Sequence, residues 1–152
     1  RGDVVNVIPV NVGPALLADL GVANAARGFA GVDVLDYGST AAAGIHVIGD
    51  AAATTQPKAG HIGNQEGKVC ADAILRLLGG GAPDPAPVTN SSCYSPITMS
   101  TASFLTAVFA YDPASRTMKV VPGASGEALA PSKDHYEDMF VWFRTLMRDT
   151  FA

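Results

Sequence analysis

Charged residues are scarce in this chain. Only 16% of its 152 residues are Asp, Glu, Lys or Arg, whereas about 25% is typical of a soluble domain. We therefore expect much of the surface to be covered by a partner or by further chain. The ten basic and fourteen acidic residues form no basic cluster, which argues against nucleic acid as a partner.

Long hydrophobic runs and metal-binding spacings are also missing. No apolar run reaches the roughly 18 residues of a membrane-spanning helix, so we predict no membrane span. The two cysteines form no CxxC pair, and the three histidines share no ligand spacing, so no metal site is predicted. No serine lies in a G-x-S-x-G motif, so the sequence offers no candidate nucleophile for a hydrolase function.

The first half of the chain has the pattern of an α/β unit. Residues 44–50 contain the β-branched Ile45, Val47 and Ile48 and end abruptly at Gly-Asp, which predicts a buried parallel strand. The apolar spacing of residues 61–78 predicts a helix with one buried face. Further strands are predicted over residues 4–8, 31–34 and 39–40, and a short helix over residues 14–20. Since the sequence enters a strand almost at once and has no initiator Met, we expect it to begin inside a longer protein.

A Gly- and Pro-rich stretch, residues 79–87, separates this unit from a second one. Beyond it the pattern predicts antiparallel strands over residues 92–100, 102–111 and 117–121, and a helix over residues 134–150. The apolar stripe of that helix is Tyr136, Phe140, Phe143 and Met147. We therefore divide the chain into an α/β unit, residues 1–82, and a small α+β domain, residues 83–152.

The Gly49-Asp50 pair is the strongest chemical signal. A glycine lets the backbone approach a bulky ligand, and a carboxylate at the carboxyl end of a strand accepts hydrogen bonds from hydroxyls. The helix beginning near Gly60 would point its free N–H groups at the same place. On this pair alone, a core strand followed by a surface turn remains an equal alternative.

Several segments together resemble one flavoprotein family. Residues 44–52, 57–61 and 65–69 resemble the second flavin-binding block of flavoproteins with two dinucleotide-binding domains, and residues 6–9 resemble the turn that approaches the flavin. Asn90-Ser91-Ser92-Cys93-Tyr94-Ser95 and the tail from Trp142 to Phe151 resemble the flavoprotein subunit of flavocytochrome c sulfide dehydrogenase. The resemblance covers nearly the whole chain, although the GxGxxG fingerprint of such proteins is absent.

The resemblance implies an incomplete FAD-binding half-domain followed by the family's carboxyl-terminal domain. It implies FAD as cofactor, sulfide as substrate, a haem c cytochrome subunit as heterodimer partner, and the periplasm as location. Cys93 matches one member of a redox-active disulfide that sulfide attacks, and the other cysteine would lie outside this chain. The residues implied to bind the cofactor are Ile8, Pro9, Gly49, Asp50, Ala51, Pro57, Lys58, Ala59, Gly60, His61 and Trp142.

Alternatives remain at this stage. A sulfide:quinone oxidoreductase shares the flavin block but should end in a helix that docks on a membrane, and the last helix lacks a Lys/Arg-rich face. A domain that keeps the fold but has lost the flavin is the other alternative. Cys70 falls on the apolar face of its helix and is predicted to be structural. Trp142 is open to two interpretations, packing against another domain or bordering the flavin.

Overall fold

The computed structural model describes residues 3–151. Residues 1, 2 and 152, which belong to the first and last predicted domains, lie outside the described residues. Among the described helices, none is long and apolar enough to cross a bilayer. The elements are α1 (Ala15–Asp19), β1 (Val32–Asp33), β2 (Gly38–Ser39), α2 (Gly60–Leu78), β3 (Val88–Pro96), β4 (Ala102–Asp112), β5 (Thr117–Glu127) and α3 (Lys133–Phe151).

The strand predicted over residues 4–8 is wrong. These residues form no regular structure, and their side chains are exposed, with Val4 at 89% and Ile8 at 85% of full accessibility. A β-branched run becomes a strand only when a neighbouring strand accepts and donates its hydrogen bonds. Within residues 3–151 no strand pairs with this segment.

The parallel strand predicted over residues 44–50 is also wrong. The segment runs antiparallel to β2, where the Ser39 N–H donates to the Ile45 carbonyl at 2.7 Å and the Val47 N–H donates to the Tyr37 carbonyl at 2.9 Å. Parallel pairing would need a crossover of a dozen or more residues, and the turn between these partners is too short for one. The described parallel contact is a single bridge between Ala30 and Ala52.

Helix α2 forms as predicted and ends at the glycine run. Its buried face consists of Ile62, Glu66, Cys70 and Ala73, which are spaced three or four residues apart. Gly80 stops the helix with a φ of +78°, a left-handed conformation that glycine adopts without a steric penalty. Residues 79–87 then carry the chain, without helix or strand, to the second sheet.

The carboxyl-terminal sheet is antiparallel in the order β3-β4-β5, as expected. Its first strand is Val88–Pro96, four residues earlier at each end than predicted. It ends at Pro96 because residues 97–101 form the turn into β4, closed by a 2.9 Å bond from the Ile97 N–H to the Thr101 carbonyl. Strand β5 extends to Glu127 rather than ending at residue 121. The architecture is thus a small α/β fold with antiparallel sheets and a terminal helix.

One apolar cluster joins the two halves of the chain. Val34 and Ile62 from the first half pack with Phe109 and Met118 of the sheet. A buried chain of hydrogen bonds runs beside this cluster: the Tyr37 hydroxyl donates to Gln56 Oε1 at 3.1 Å, and Gln56 Nε2 donates to Thr89 Oγ1 at 2.5 Å. The two halves of the chain therefore share a core.

Helix α3 packs through a different stripe from the one its sequence suggested. His135 and Trp142 contact aromatic rings of β4 and β3, whereas Phe140 and Phe143 of the predicted stripe are 43% and 50% exposed. No residue of α3 is fully buried among the described residues. The helix therefore carries two apolar faces, of which only one is covered.

The shared core predicts a large stability difference between two phenylalanines. We expect Phe109→Ala to lower the free energy of unfolding by about 3–5 kcal/mol, because a buried ring leaves a cavity. Phe140→Ala should cost under about 1.5 kcal/mol, because its ring is partly exposed. Urea unfolding followed by circular dichroism measures both, and equal losses would contradict the assignment of the core.

Candidate functional site

The Gly49-Asp50 pair lies in a single 3₁₀ turn, Gly49–Ala51, and not at the end of a strand. Gly49 has a φ of +65°, which a side chain would strain. Helix α2 also approaches it closely, since a Cβ added to Gly63 would lie 3.3 Å from the Gly49 Cα. Gly63 therefore permits the close approach that brings the turn against α2, whereas Gly49 is required by its own φ.

A buried carboxylate holds the same turn. Glu66 is 1% exposed, and its Oε2 accepts a 2.5 Å hydrogen bond from the Gly49 N–H. Its Oε1 lies 3.4 Å from the Thr54 hydroxyl. Burial raises the pKa of Glu66, and the bond from Gly49 opposes that rise. Glu66 was not predicted as a site residue. The available signal was its place in the apolar stripe of α2, four residues from both Ile62 and Cys70.

Lys58 closes the loop between the turn and α2. Its ammonium donates to the carbonyls of Asp50 at 2.7 Å and Ala52 at 2.8 Å, and it lies 4.2 Å from the centroid of the Phe29 ring. These contacts satisfy two carbonyl groups that would otherwise need water. Lys58 was predicted to bind the cofactor, and in this structure it shapes the loop that carries Asp50.

Two cavities meet at the Gly49–Asp50 turn. One, about 700 Å³, has apolar walls with the Asp50 and Lys58 side chains at its margin; it is lined by Val10, Asn11, Val12, Pro14, Phe29, Ile48, Asp50, Ala51 and Lys58. The other, about 540 Å³, follows the glycines of α2 and is lined by Ile48, Gly49, Gly60, Gly63, Asn64, Gly67, Lys68, Ala71, Asp149 and Thr150. Helix α2 starts between them, and no side chain caps its amino terminus, which leaves its first N–H groups for a ligand.

His61 connects α2, β3 and α3. Its Nδ1 accepts a 2.9 Å hydrogen bond from the Ser92 N–H, and its ring packs edge-on against Trp142 with centroids 6.0 Å apart. Trp142 also contacts Tyr94, with ring centroids 5.5 Å apart. Partial burial lowers the pKa of His61, and a nitrogen that accepts from a backbone N–H carries no proton. The ring is therefore neutral and fixes the outer edge of β3.

Cys93 is the residue that follows Ser92. The pairing of β3 with β4 is unbroken from Val88 to Pro96, so the side chains alternate between the two faces of the sheet. Cys93 shares a face with Thr89 and Ser91, which are buried beside α2. It is itself only half-buried, and Leu105 opposite it is 57% exposed. Cys93 thus lies where the cover provided by α2 ends.

The structure brings most of the predicted site residues together, but not all. Gly49, Asp50, Ala51, Lys58 and Gly60 surround the two cavities, and His61 with Trp142 forms the adjoining aromatic cluster. Ala59 is half-buried at the start of α2. Ile8, Pro9 and Pro57 are exposed and line neither of these cavities. Their neighbours Val10 and Val12 form a wall of the larger cavity and were not predicted.

The two cysteines are free and differ in environment. Cys70 is 7% exposed on the buried face of α2, and burial raises the pKa of its thiol. It does not lie among the cavity-lining residues, in agreement with the structural role that its spacing predicted. Within residues 3–151 no cluster of three or more metal-ligating side chains occurs.

Comparison with known families identifies the second half of the chain. Residues 85–151 match the family model described as flavocytochrome c sulphide dehydrogenase, flavin-binding. These residues are therefore similar to that flavin-binding domain. The resemblance seen in the sequence is therefore confirmed over these residues. The match also confirms FAD as the predicted cofactor, because the matched domain binds a flavin.

The residues present fit a flavin. A flat apolar ring system and a polar phosphate-bearing chain need apolar walls next to hydrogen-bonding groups, and the larger cavity combines Val10, Val12 and Phe29 with Asp50. Gly49 and Gly60 leave the backbone open to close approach, since a Cβ on Gly60 would meet nothing within 4 Å. The uncapped start of α2 offers N–H groups to a negatively charged ring edge.

The difference between the two thiols predicts selective labelling. We expect iodoacetamide at neutral pH to alkylate Cys93 in the folded chain and Cys70 only after denaturation, because a buried thiol is protonated and inaccessible. Peptide mass spectrometry after timed quenching measures both rates. Labelling of Cys70 at the rate of Cys93 would contradict the burial of α2's inner face.

Proposed function

We propose that this chain is part of an FAD-dependent sulfide dehydrogenase that passes electrons to a c-type cytochrome subunit in the periplasm. The matched family description supports the flavin, the sulfide substrate and the cytochrome. In this proposal residues 1–82 contribute the end of the FAD-binding domain, and residues 83–152 form the carboxyl-terminal domain. Asp50 holds the polar chain of the cofactor, and Cys93 is one sulfur of the redox-active disulfide.

The observation that carries the proposal is the position of Cys93. It follows Ser92, whose N–H is bonded to His61 at the first turn of α2. Its side chain is on the α2 side of the sheet but is not covered as Ser91 is. A sulfur there faces the same region as the start of α2, where the flavin ring is proposed to bind. The partner sulfur would come from outside this chain, because Cys70 is buried among Ile62, Glu66 and Ala73.

The chemistry that this arrangement would perform is thiol–disulfide exchange. Hydrosulfide attacks one sulfur of the disulfide, so that the S–S bond breaks, a persulfide forms on the attacked cysteine, and the other sulfur leaves as a thiolate. When bound, FAD supplies a two-electron acceptor that can release its electrons singly. This chain would hold the Cys93 sulfur in place through the His61–Ser92 bond.

The role of Asp50 predicts weaker flavin binding in Asp50→Ala. Losing a charged hydrogen bond costs about 1.5–3 kcal/mol, or roughly ten- to 150-fold in Kd. Titration of the full-length apoprotein with FAD, followed by quenching of flavin fluorescence, gives the affinity. Asp19→Ala, an exposed aspartate at the end of α1, is the matched control and should bind as wild type. Equal affinities for all three proteins would rule out the assignment of Asp50.

The role of Cys93 predicts that Cys93→Ser abolishes sulfide-dependent cytochrome reduction in the complete enzyme. The flavin absorbance should be retained, because the substitution changes one atom of a half-buried side chain. Cys70→Ser is the control and should keep most of the turnover.

Three outcomes of that assay separate the alternatives. Wild-type turnover in Cys93→Ser would exclude the disulfide mechanism. Reduction of a quinone in preference to cytochrome c would indicate a sulfide:quinone oxidoreductase. A full-length protein that contains no flavin would indicate a non-catalytic domain.

A further inference from the structure

Glu66 is the one carboxylate of the described residues that is almost completely buried, at 1% exposure. Burying a carboxylate is unfavourable unless hydrogen bonds compensate for the lost water. A leucine at this position would continue the apolar stripe formed by Ile62, Cys70 and Ala73. The core therefore gives no reason for an acid at position 66, and the reason must lie in what its oxygens contact.

Both oxygens face the loop that carries Asp50. Oε2 accepts from the Gly49 N–H at 2.5 Å, and Oε1 lies 3.4 Å from the Thr54 hydroxyl. Gly49 adopts its φ of +65° without a steric penalty, but a glycine is also free to leave that conformation, and the bond to Glu66 limits this freedom.

Asp50 itself is the residue that the turn positions. Its backbone carbonyl accepts a hydrogen bond from Lys58, and Glu66 holds the Ile48–Gly49 peptide, one residue further back along the chain. The Asp50 side chain is exposed at the margin of the larger cavity. These two hydrogen bonds fix the backbone at both ends of the Gly49–Asp50 segment and so limit where the Asp50 carboxylate can lie, which is how a supporting residue preorganises a binding group.

We propose that Glu66 is a positioning residue for the flavin, acting through the Gly49 N–H to aim the Asp50 carboxylate at the polar chain of the cofactor. This inference rests on the role proposed above for Asp50. It assigns Glu66 no direct contact with FAD, since its side chain is enclosed between α2 and the turn.

The proposal is tested by a double-mutant cycle in the full-length apoprotein, with FAD affinity as the measured quantity. Glu66→Leu keeps the volume but removes the acceptor, and Glu66→Asp keeps the charge but withdraws the oxygens by one methylene. Each is combined with Asp50→Ala. Glu66→Gln is the conservative control, because its Oε1 can still accept from the Gly49 N–H.

We expect Glu66→Leu and Glu66→Asp to weaken FAD binding by about threefold or more, in the range of measured couplings between residues in one network. In the Asp50→Ala background the same substitutions should change the affinity by less than about twofold, because the residue they position is gone. Glu66→Gln should bind FAD within about twofold of wild type. If Glu66→Leu does not fold, as judged by circular dichroism, Glu66→Asp provides the same comparison.

A purely structural role would give a different pattern. It would reduce FAD affinity equally with and without the Asp50 carboxylate, and that result would overturn the proposal. Wild-type affinity in Glu66→Leu or Glu66→Asp, while Asp50→Ala binds weakly, would also overturn it and leave the function of Asp50 intact. Wild-type affinity in Asp50→Ala would reject the assignment of Asp50 and, with it, the route by which Glu66 acts.

Discussion

The packing of α2 is the constraint on which the rest of this structure depends. One face of this helix must bury Ile62 against Phe109 and Met118, and the same helix must approach the Gly49 turn closely enough for two glycines to touch. These requirements fix the sheet and the turn relative to each other through a single rigid element. A shift of α2 by one turn, about 5.4 Å, would break the core contact and the turn contact together.

This arrangement explains why the candidate site is assembled from distant parts of the sequence. Helix α2 places the Gly49 turn beside its first half and the Ser91–Ser92 peptide, just before Cys93, beside its first turn. The site therefore inherits its geometry from a packed core, which is more rigid than a site built on loops alone. Polar groups take part in the same junction, since Tyr37, Gln56 and Thr89 form a buried hydrogen-bonded chain across it.

Buried polar groups at this junction favour specificity over maximal stability. Glu66 and the Tyr37–Gln56–Thr89 chain occupy buried positions at which aliphatic side chains could pack instead. Each group is tolerated because it has a hydrogen-bond partner. A partner exists only when α2, the turn and β3 are correctly aligned, so misaligned packings leave polar groups unpaired and are strongly disfavoured.

The sequence by itself determined the helices and strands that are specified by residues close together in the chain. The apolar spacing of residues 61–78 and the glycines after them define α2 and its end, and the turn residues of the second half define an antiparallel sheet. The Gly49-Asp50 pair and Cys93 were also predicted as site residues from the sequence, through the motif and the resemblance that surrounds it. These features depend on the neighbouring few residues, which the sequence displays directly.

Tertiary structure decided what depends on distant partners. Residues 4–8 and 44–50 have the composition of strands, but a strand needs a hydrogen-bonding neighbour, and residues 3–151 provide none for the first and only a short antiparallel partner for the second. The stripe of α3 that packs is likewise set by Tyr94 and Phe104 and not by the helix's own periodicity. The role of Glu66 became visible only when the fold placed the Gly49 N–H against its carboxylate, because a hydrogen bond between residues 17 positions apart has no local signature.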